Sequence, residues 1–252
     1  MIDIHTHLLP GVDDGSPSVK VSVPVLERFG REGVEVVVCT PHLNASEVRR
    51  APVARYRSIL DELRLNAPAC PRVVLGWEIM LDVPGADLRN PDVHLDGSTA
   101  ALVEFHRMNV PPAAVYELDR IRVSGVVPVL AHPERYFGCT VDQVAQWRSV
   151  GVVIQTDAIM LFGNSPPSKF ARVLLQHGLV DCLASDNHGD HRNLRAARDW
   201  LVQIGAREQA QLLTRTNAER LLMNEPPLPV APIPVADAGL LGKLRERLFG
   251  RR

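Results

Sequence analysis

A parallel α/β barrel is the fold this sequence predicts, and three observations carry the prediction. Seven apolar, β-branched runs recur along the chain. Most are followed by a stretch with helical periodicity, the order that builds parallel sheets with right-handed crossovers. Six of the seven runs end, within about two residues, on His, Asp or Glu, and the C-terminal strand ends of a parallel barrel converge on the one face where ligands gather. The chain of 252 residues also suits one such barrel or two small domains. A doubly wound open sheet is the alternative, but it would bring fewer strand ends to one point.

The first run is Met1–His5, and its end carries His5 and His7 on one face, because side chains two apart on a strand point the same way. The turn Val12-Asp13-Asp14-Gly15 follows, then a helix over 17–32 with Val21, Val25, Leu26 and Phe29 on one side. Val34–Cys39 is the second strand, closing on Thr40-Pro41-His42, and a helix over 46–65 comes next. The third strand, Arg72–Gly76, reaches Glu78, and the Pro- and Asp-rich residues 82–97 read as a surface excursion. Thr99–Val103 ends at Glu104, and a helix over 112–124 leads to Val126–Ala131, which ends at His132-Pro133-Glu134-Arg135. A helix over 141–149 precedes Val152–Thr156, and one over 169–177 precedes Val180–Ala184, which ends at Asp186 and His188. Two more helices are expected over 194–204 and 208–223.

Residues 1–224 thus read as the barrel and 225–238, with five prolines, as an extended linker. Residues 239–252 read as a short basic amphipathic helix. It would dock on its own barrel or a partner, with weak contact to an anionic membrane surface as the alternative.

Composition excludes several classes. A formal charge of −1 gathers no nucleic acid, and 46% apolar with 23% charged residues is ordinary for a globular protein. No apolar run approaches the roughly 20 residues of a membrane-spanning helix, and no basic start precedes an apolar run as in a signal peptide. Cys39, Cys70, Cys139 and Cys182 are scattered without CxxC spacing, and buried free thiols are expected at Cys39 and Cys182. A cytoplasmic location is the expectation.

The strand-end groups collect into His5, His7, Asp14, His42, Glu78, Glu104, His132, Asp186 and His188. Five imidazoles and four carboxylates without a thiolate suit cations such as Zn, Mn or Fe. One ion would be oversupplied, so two or three are expected, with Glu78 and Glu104 able to bridge. Any one of these residues could be a buried structural His or a capping Asp. All nine at strand ends point to metal.

The motifs IDIHTHLLPGVDDG at the start, TPH at 40–42, GWEI at 76–79, LVEF at 102–105, AHPERY at 131–136 and ASDNH at 184–188 resemble those of the PHP (polymerase and histidinol phosphatase) superfamily. Within it, the chain is most similar to the bacterial metal-dependent protein-tyrosine phosphatases of capsule and exopolysaccharide synthesis. That resemblance implies a distorted (β/α)7 TIM-like barrel, the PHP fold, with a trinuclear site held by the nine residues above. It implies manganese first among the divalent ions, with Fe, Zn, Co and Mg as alternatives. Asp186 and Arg135 would act in catalysis, Arg135 as a phosphate-binding arginine, and Arg192 is the nearest match to a second one. The substrate implied is a phosphotyrosine protein, a bacterial tyrosine kinase or its Tyr-rich tail.

Two departures stand out: Asp157 lies where relatives usually carry Asn, and His106 follows Glu-Phe where Pro or Ser is more usual. His94, His177 and His191 match no ligand motif and are expected at the surface.

Chemistry agrees with metal hydrolysis. A thiolate phosphatase loop places Arg six residues after Cys, but Ala45, Gly76, Ala145 and His188 occupy those positions here. The alternatives are a PHP small-molecule phosphatase acting on histidinol phosphate or nucleotides, and a metal-binding regulatory module without turnover.

Overall fold

The computed structural model describes residues 1–234. Among the described residues, nine parallel strands form two sheets rather than one ring. β1 (Ile2–Thr6), β2 (Val36–Cys39) and β4 (Arg72–Leu75) make one sheet in the order β1-β2-β4. β3 (His42–Asn44), β5 (Glu78–Leu81), β6 (Ala100–Phe105), β7 (Val127–Ala131), β8 (Val153–Asp157) and β9 (Cys182–Ala184) make the other, in that order.

The extra strands arise because the second and third expected strands each break once. Pro41, which has no N–H to donate to a ladder, interrupts the second, and Gly76 interrupts the third. A Cβ on Gly76 would lie 2.8 Å from Val38 Cγ1 and 2.9 Å from Leu95 Cδ2, so only glycine lets the chain bend there. Beyond the breaks His42 pairs in register with Glu78, which sets two predicted metal-site residues side by side.

The expected closed barrel is therefore met in part. The sheets are parallel and alternate with helices, but β1 meets the end of β9 through the single bridge Thr6–Asn187 and not through a ladder. Two backbone hydrogen bonds flank that bridge, Asp186 N to His5 O at 3.0 Å and His7 N to Asn187 O at 2.8 Å.

The helices are α1 (Val19–Glu32), α2 (Val53–Asn66), α3 (Ala114–Val123), α4 (Val141–Ser149), α5 (Pro166–Gln176), α6 (Arg195–Gln203), α7 (Arg207–Gln211) and α8 (Asn217–Leu222). The expected helix over 46–65 is split into a 3-10 turn, Ala45–Arg50, and α2, since Pro52 cannot continue the first hydrogen-bond ladder. α5 begins three residues earlier than its periodicity suggests, capped by Ser165 Oγ accepting from Ser168 N at 3.2 Å with Pro166 as first residue. A π turn at Leu212–Thr216 joins α7 to α8, so the last expected helix is one continuous run.

Alternation along the strands builds two apolar layers. Outward residues such as Val103, Phe105 and Leu130 pack with Trp77, Trp147 and Phe29 beneath the helices. Inward residues Ile2, Ile4, Val38, Val74, Ala100, Leu102, Val129, Ala131, Val153, Cys182 and Ala184 form a second cluster. On β6 the inward series continues to Glu104, and on β8 to Gln155 and Asp157, so an apolar floor gives way to polar groups toward the strand ends. Cys39 and Cys182 are buried free thiols, as expected.

The excursion over 82–97 is not a simple surface loop: Leu88, Val93 and Leu95 are buried, and Trp77 Nε1 donates to Asp92 O at 3.0 Å. His94 corrects the surface expectation. It is buried, with Nδ1 2.7 Å from Ser98 O and Nε2 2.6 Å from Leu88 O, and so braces the loop it sits in. His177 and His191 are exposed.

Residues 225–234 run without regular structure along the molecule. Val230 and Ile233 are buried, Asn217 binds both backbone polar groups of Leu228, and Ile233 N donates to Leu175 O at 3.0 Å. The rest of the expected linker and the basic stretch 239–252 lie outside the described residues.

Candidate metal centre

Every one of the nine expected ligands falls into four overlapping groups of His, Asp and Glu whose ligand atoms lie within 4.8 Å of one another: His7 with Asp14, His42 and His188; His5 with Glu78 and His132; His5 with His7 and Asp186; and His42 with Glu78 and Glu104. His5, His7, His42 and Glu78 each belong to two groups, so the site is one continuous cage.

The first part of the cage is set by β1 and its turn. A register shift between Asp3 and Thr6 ends regular pairing with β2 where His5 begins. Gly15 returns the chain against the strand: a Cβ there would lie 2.2 Å from His7 O, which accepts from Ser16 N at 2.8 Å. Asp13 then reaches back, with Oδ2 2.8 Å from His7 Nδ1. Gln155 does the same for His5, with Oε1 2.9 Å from Nδ1, while its Nε2 donates to Asp157 Oδ1 at 3.1 Å. In their neutral form both imidazoles are thereby held with the proton on Nδ1 and with Nε2 turned inward, as a cation ligand requires.

Inside, His5 Nε2 and His7 Nε2 are 3.3 Å apart. Glu78 Oε2 lies 3.3 and 3.2 Å from them, and Asp186 Oδ1 lies 3.4 Å from each. Four lone-pair donors facing one point need something positive between them. Ligands on one divalent ion with bonds of about 2.1 Å stand roughly 3.0–3.4 Å apart, so the residues fit a cation. Further along, His42 Nδ1 is 3.0 Å from Glu78 Oε2, and His132 Nε2 is 2.8 Å from Glu78 Oε1. The outer end is formed by Asp14 Oδ1, 3.3 Å from His42 Nε2 and 3.6 Å from His188 Nε2.

Two of these residues hold left-handed backbone: His132 at φ 34° and Asp186 at φ 49°. Such conformations cost on the order of 1–3 kcal/mol outside glycine and collect where a side chain must be aimed. Pro133 follows His132 directly and begins a 3-10 turn, Pro133–Arg135, that swings Arg135 over the cage. Tyr136 anchors that turn, donating from its hydroxyl to Ala131 O at 2.8 Å and accepting from Phe105 N at 3.2 Å.

Arg135 Nη1 donates to Asp186 Oδ2 at 2.9 Å and to Asp157 Oδ2 at 3.2 Å. Arg192 Nη1 donates to the same Asp186 oxygen at 3.0 Å, and Asp190 holds its Nε at 2.8 Å. The two guanidinium groups thus stand together beside the cage, both partly exposed. Asp157 is a buried partner of Arg135, and His106 is exposed, with Nδ1 3.2 Å from Met80 Sδ.

The electrostatics are those of a site that favours positive charge at its centre. Burial alone would strip the proton from His5, but Glu78 and Asp186 more than offset it and push the imidazole up to about 9. Burial opposes ionisation of Glu78 and Asp186 too, yet the surrounding imidazoles, His5 foremost, hold both carboxyls far below their usual range. Glu104 goes the other way, raised by burial and by the Glu78 charge.

Asp13 and Gln155 are the functional residues a reading for ligands passes over. The available signals were the doubled acid in VDDG and an amide on an inward strand position next to apolar neighbours.

The family model for capsular polysaccharide synthesis, CpsB/CapC, matches residues 1–223. The tyrosine-protein phosphatase YwqE of Bacillus subtilis is 30% identical, with 99% of each chain covered. The tyrosine-protein phosphatase CpsB of Streptococcus pneumoniae is 27% identical over 89% of this chain and 99% of its own. Among solved structures, one from the work on YwqE from Bacillus subtilis and CpsB from Streptococcus pneumoniae, described as unique metal-dependent tyrosine phosphatases, superposes with a TM-score of 0.75 at 26% identity, covering 94% of this chain and all of that one.

Proposed function

The chain belongs to the CpsB/CapC family of capsular polysaccharide synthesis, and from that premise we propose that it is a metal-dependent protein-tyrosine phosphatase. Its substrate would be phosphotyrosine on a bacterial tyrosine kinase that controls capsule or exopolysaccharide assembly. We read the two sheets as a distorted (β/α)7 barrel over residues 1–224, and the location as cytoplasmic. The nine cage residues would hold two or three divalent ions, manganese first among them.

One observation carries the reading. Arg135 and Arg192 meet on a single oxygen of Asp186, whose other oxygen faces the Nε2 atoms of His5 and His7. Anion-binding forks and cation ligands are thereby joined through one carboxylate, the arrangement a phosphate monoester requires.

Cations in the cage would supply an activated water and neutralise phosphoryl oxygens. The remaining work falls to the protein. Arg135 and Arg192 would bind non-bridging oxygens through their planar guanidinium forks. Asp157 and Asp186 both accept from Arg135 Nη1, and Asp190 holds Arg192 Nε, so little ordering is left for the bound state. Asp13 and Gln155 hold the tautomers of His7 and His5 through the cycle. A phenolate, with a pKa of about 10, leaves with less protonation than an alkoxide, which suits a site to which no dedicated acid is assigned.

The test is metal analysis of purified protein beside hydrolysis of a phosphotyrosine peptide and of histidinol phosphate. His5→Ala should lose metal and turnover together, and Arg135→Ala should keep metal and lose most turnover. Full activity in either variant refutes the site, and preference for histidinol phosphate refutes the substrate.

A further inference from the structure

A cavity of about 580 Å³ is walled by the ends of β5 and β6, two strands that carry cage residues, and by the segments that follow them. Its apolar wall comes from Leu81, Val83, Val110, Pro111 and Pro112. Both strands carry candidate ligands: β5 starts at Glu78, three residues before its share of the wall begins at Leu81, and the other share begins at Phe105, one residue past Glu104. The next loop round the rim carries Phe137, two residues past Arg135. That ring is 86% exposed, although its backbone is pinned: Phe137 N donates to Met108 O at 2.9 Å, and Phe137 bridges Asn109, itself part of the cavity wall.

We propose that this cavity and Phe137 form a shelf for apolar side chains flanking the phosphotyrosine of a polypeptide substrate. The proposal rests on the phosphotyrosine-protein reading given above.

Continuity with the cage is the first argument. An extended polypeptide advances about 3.4 Å per residue, so residues one to three positions from a phosphotyrosine held at Arg135 and Arg192 pass over the neighbouring loops. A small phosphate ester ends at the cage and never reaches them. Charge is the second argument. The two carboxylates in the cavity wall are committed within the protein: Asp82 accepts from Ser46 N at 3.0 Å and Ser46 Oγ at 2.6 Å, and Glu117 accepts from Gly85 N at 3.0 Å and Arg120 Nη2 at 2.6 Å. What the cavity offers a ligand is therefore its apolar wall, with the exposed His106 as a polar group at its edge. The Phe137 ring adds nothing to the core, and its burial beneath a substrate would strengthen binding about tenfold.

Steady-state kinetics of the manganese-loaded full chain test this with three substrates: free phosphotyrosine, a phosphotyrosine peptide flanked by leucines, and the same peptide flanked by glycines. The unaltered protein should favour the leucine peptide over the glycine peptide by about tenfold in kcat/KM. Phe137→Ala and Val83→Asp, both at exposed positions, should each raise KM for the leucine peptide several-fold and leave free phosphotyrosine unchanged. Equal efficiency on both peptides refutes the shelf alone. Equal losses on all three substrates also refute it, because the residues would then support the cage itself. Turnover of free phosphotyrosine without turnover of either peptide refutes the protein-substrate reading, and the shelf with it.

Discussion

Replacing Gln155 with leucine removes two hydrogen bonds at nearly constant volume, and the structure says what each loss does. His5 Nδ1 loses its acceptor at 2.9 Å and becomes a buried donor without a partner, a defect of about 1–3 kcal/mol. The imidazole is then free to exchange its proton to Nε2, the nitrogen that faces Glu78 and Asp186. Supports of this kind are worth about 10–100-fold in metal affinity, or about 1.4–2.7 kcal/mol. Gln155→Leu should therefore weaken manganese binding by that factor, measured by competition with a chelating dye. The folded signal in circular dichroism should persist. Gln155→Glu separates the two bonds, since it keeps an acceptor for His5 and loses the donor to Asp157 at 3.1 Å. It should bind metal at least as tightly as the parent, while turnover falls because Asp157 and its hold on Arg135 are disturbed. Unchanged metal affinity in Gln155→Leu would falsify the role assigned to this amide.

Other perturbations reach different links. Gly15→Ala places a Cβ 2.2 Å from His7 O, so thermal unfolding should report a loss of about 1–3 kcal/mol together with lowered metal content. Cys39→Ser and Cys182→Ser should leave turnover largely intact, since burial pushes the Cys39 thiol up to about 12 and raises Cys182 likewise; loss of activity in folded protein would revive a thiolate mechanism. Burial raises Asp3 from 3.8 to about 6. Its contribution to stability is full below the unfolded value and lost as pH rises through about 6, a fall of about 3 kcal/mol. Denaturant titrations of chelated protein across that window should show the fall, and Asp3→Asn should flatten it.

Much of the cage was legible because strand ends are punctuated. His5 and His7 share a face by period two, and Glu104, His132 and Asp186 follow runs too apolar to be anything but strands. The breaks were harder to see. Pro41 and Gly76 were visible as residues, but whether they end a strand or bend it depends on neighbours such as Val38 and Leu95, which arrive from other parts of the chain. His94 shows the same limit in a loop: its partners, Leu88 O and Ser98 O, are carbonyls that any sequence supplies, and only the path of the chain brings them to one ring. Arg192 sits in a loop of unusual spacing, yet it reaches the oxygen of Asp186 that Arg135 reaches, because Asp190 folds it back.

The cage is closed beneath by the inner apolar cluster and open above, and its accessibility changes steeply across a few ångströms. The His5 side chain has no exposure and Glu78 has 2%, whereas His42 has 42% and Asp14 69%. If the cage takes the several ions proposed above, depth would sort their exchange: an ion between His5, His7 and Asp186 would leave more slowly than one held at Asp14 and His42, and a chelator added to loaded protein would meet a slow pool and a fast one.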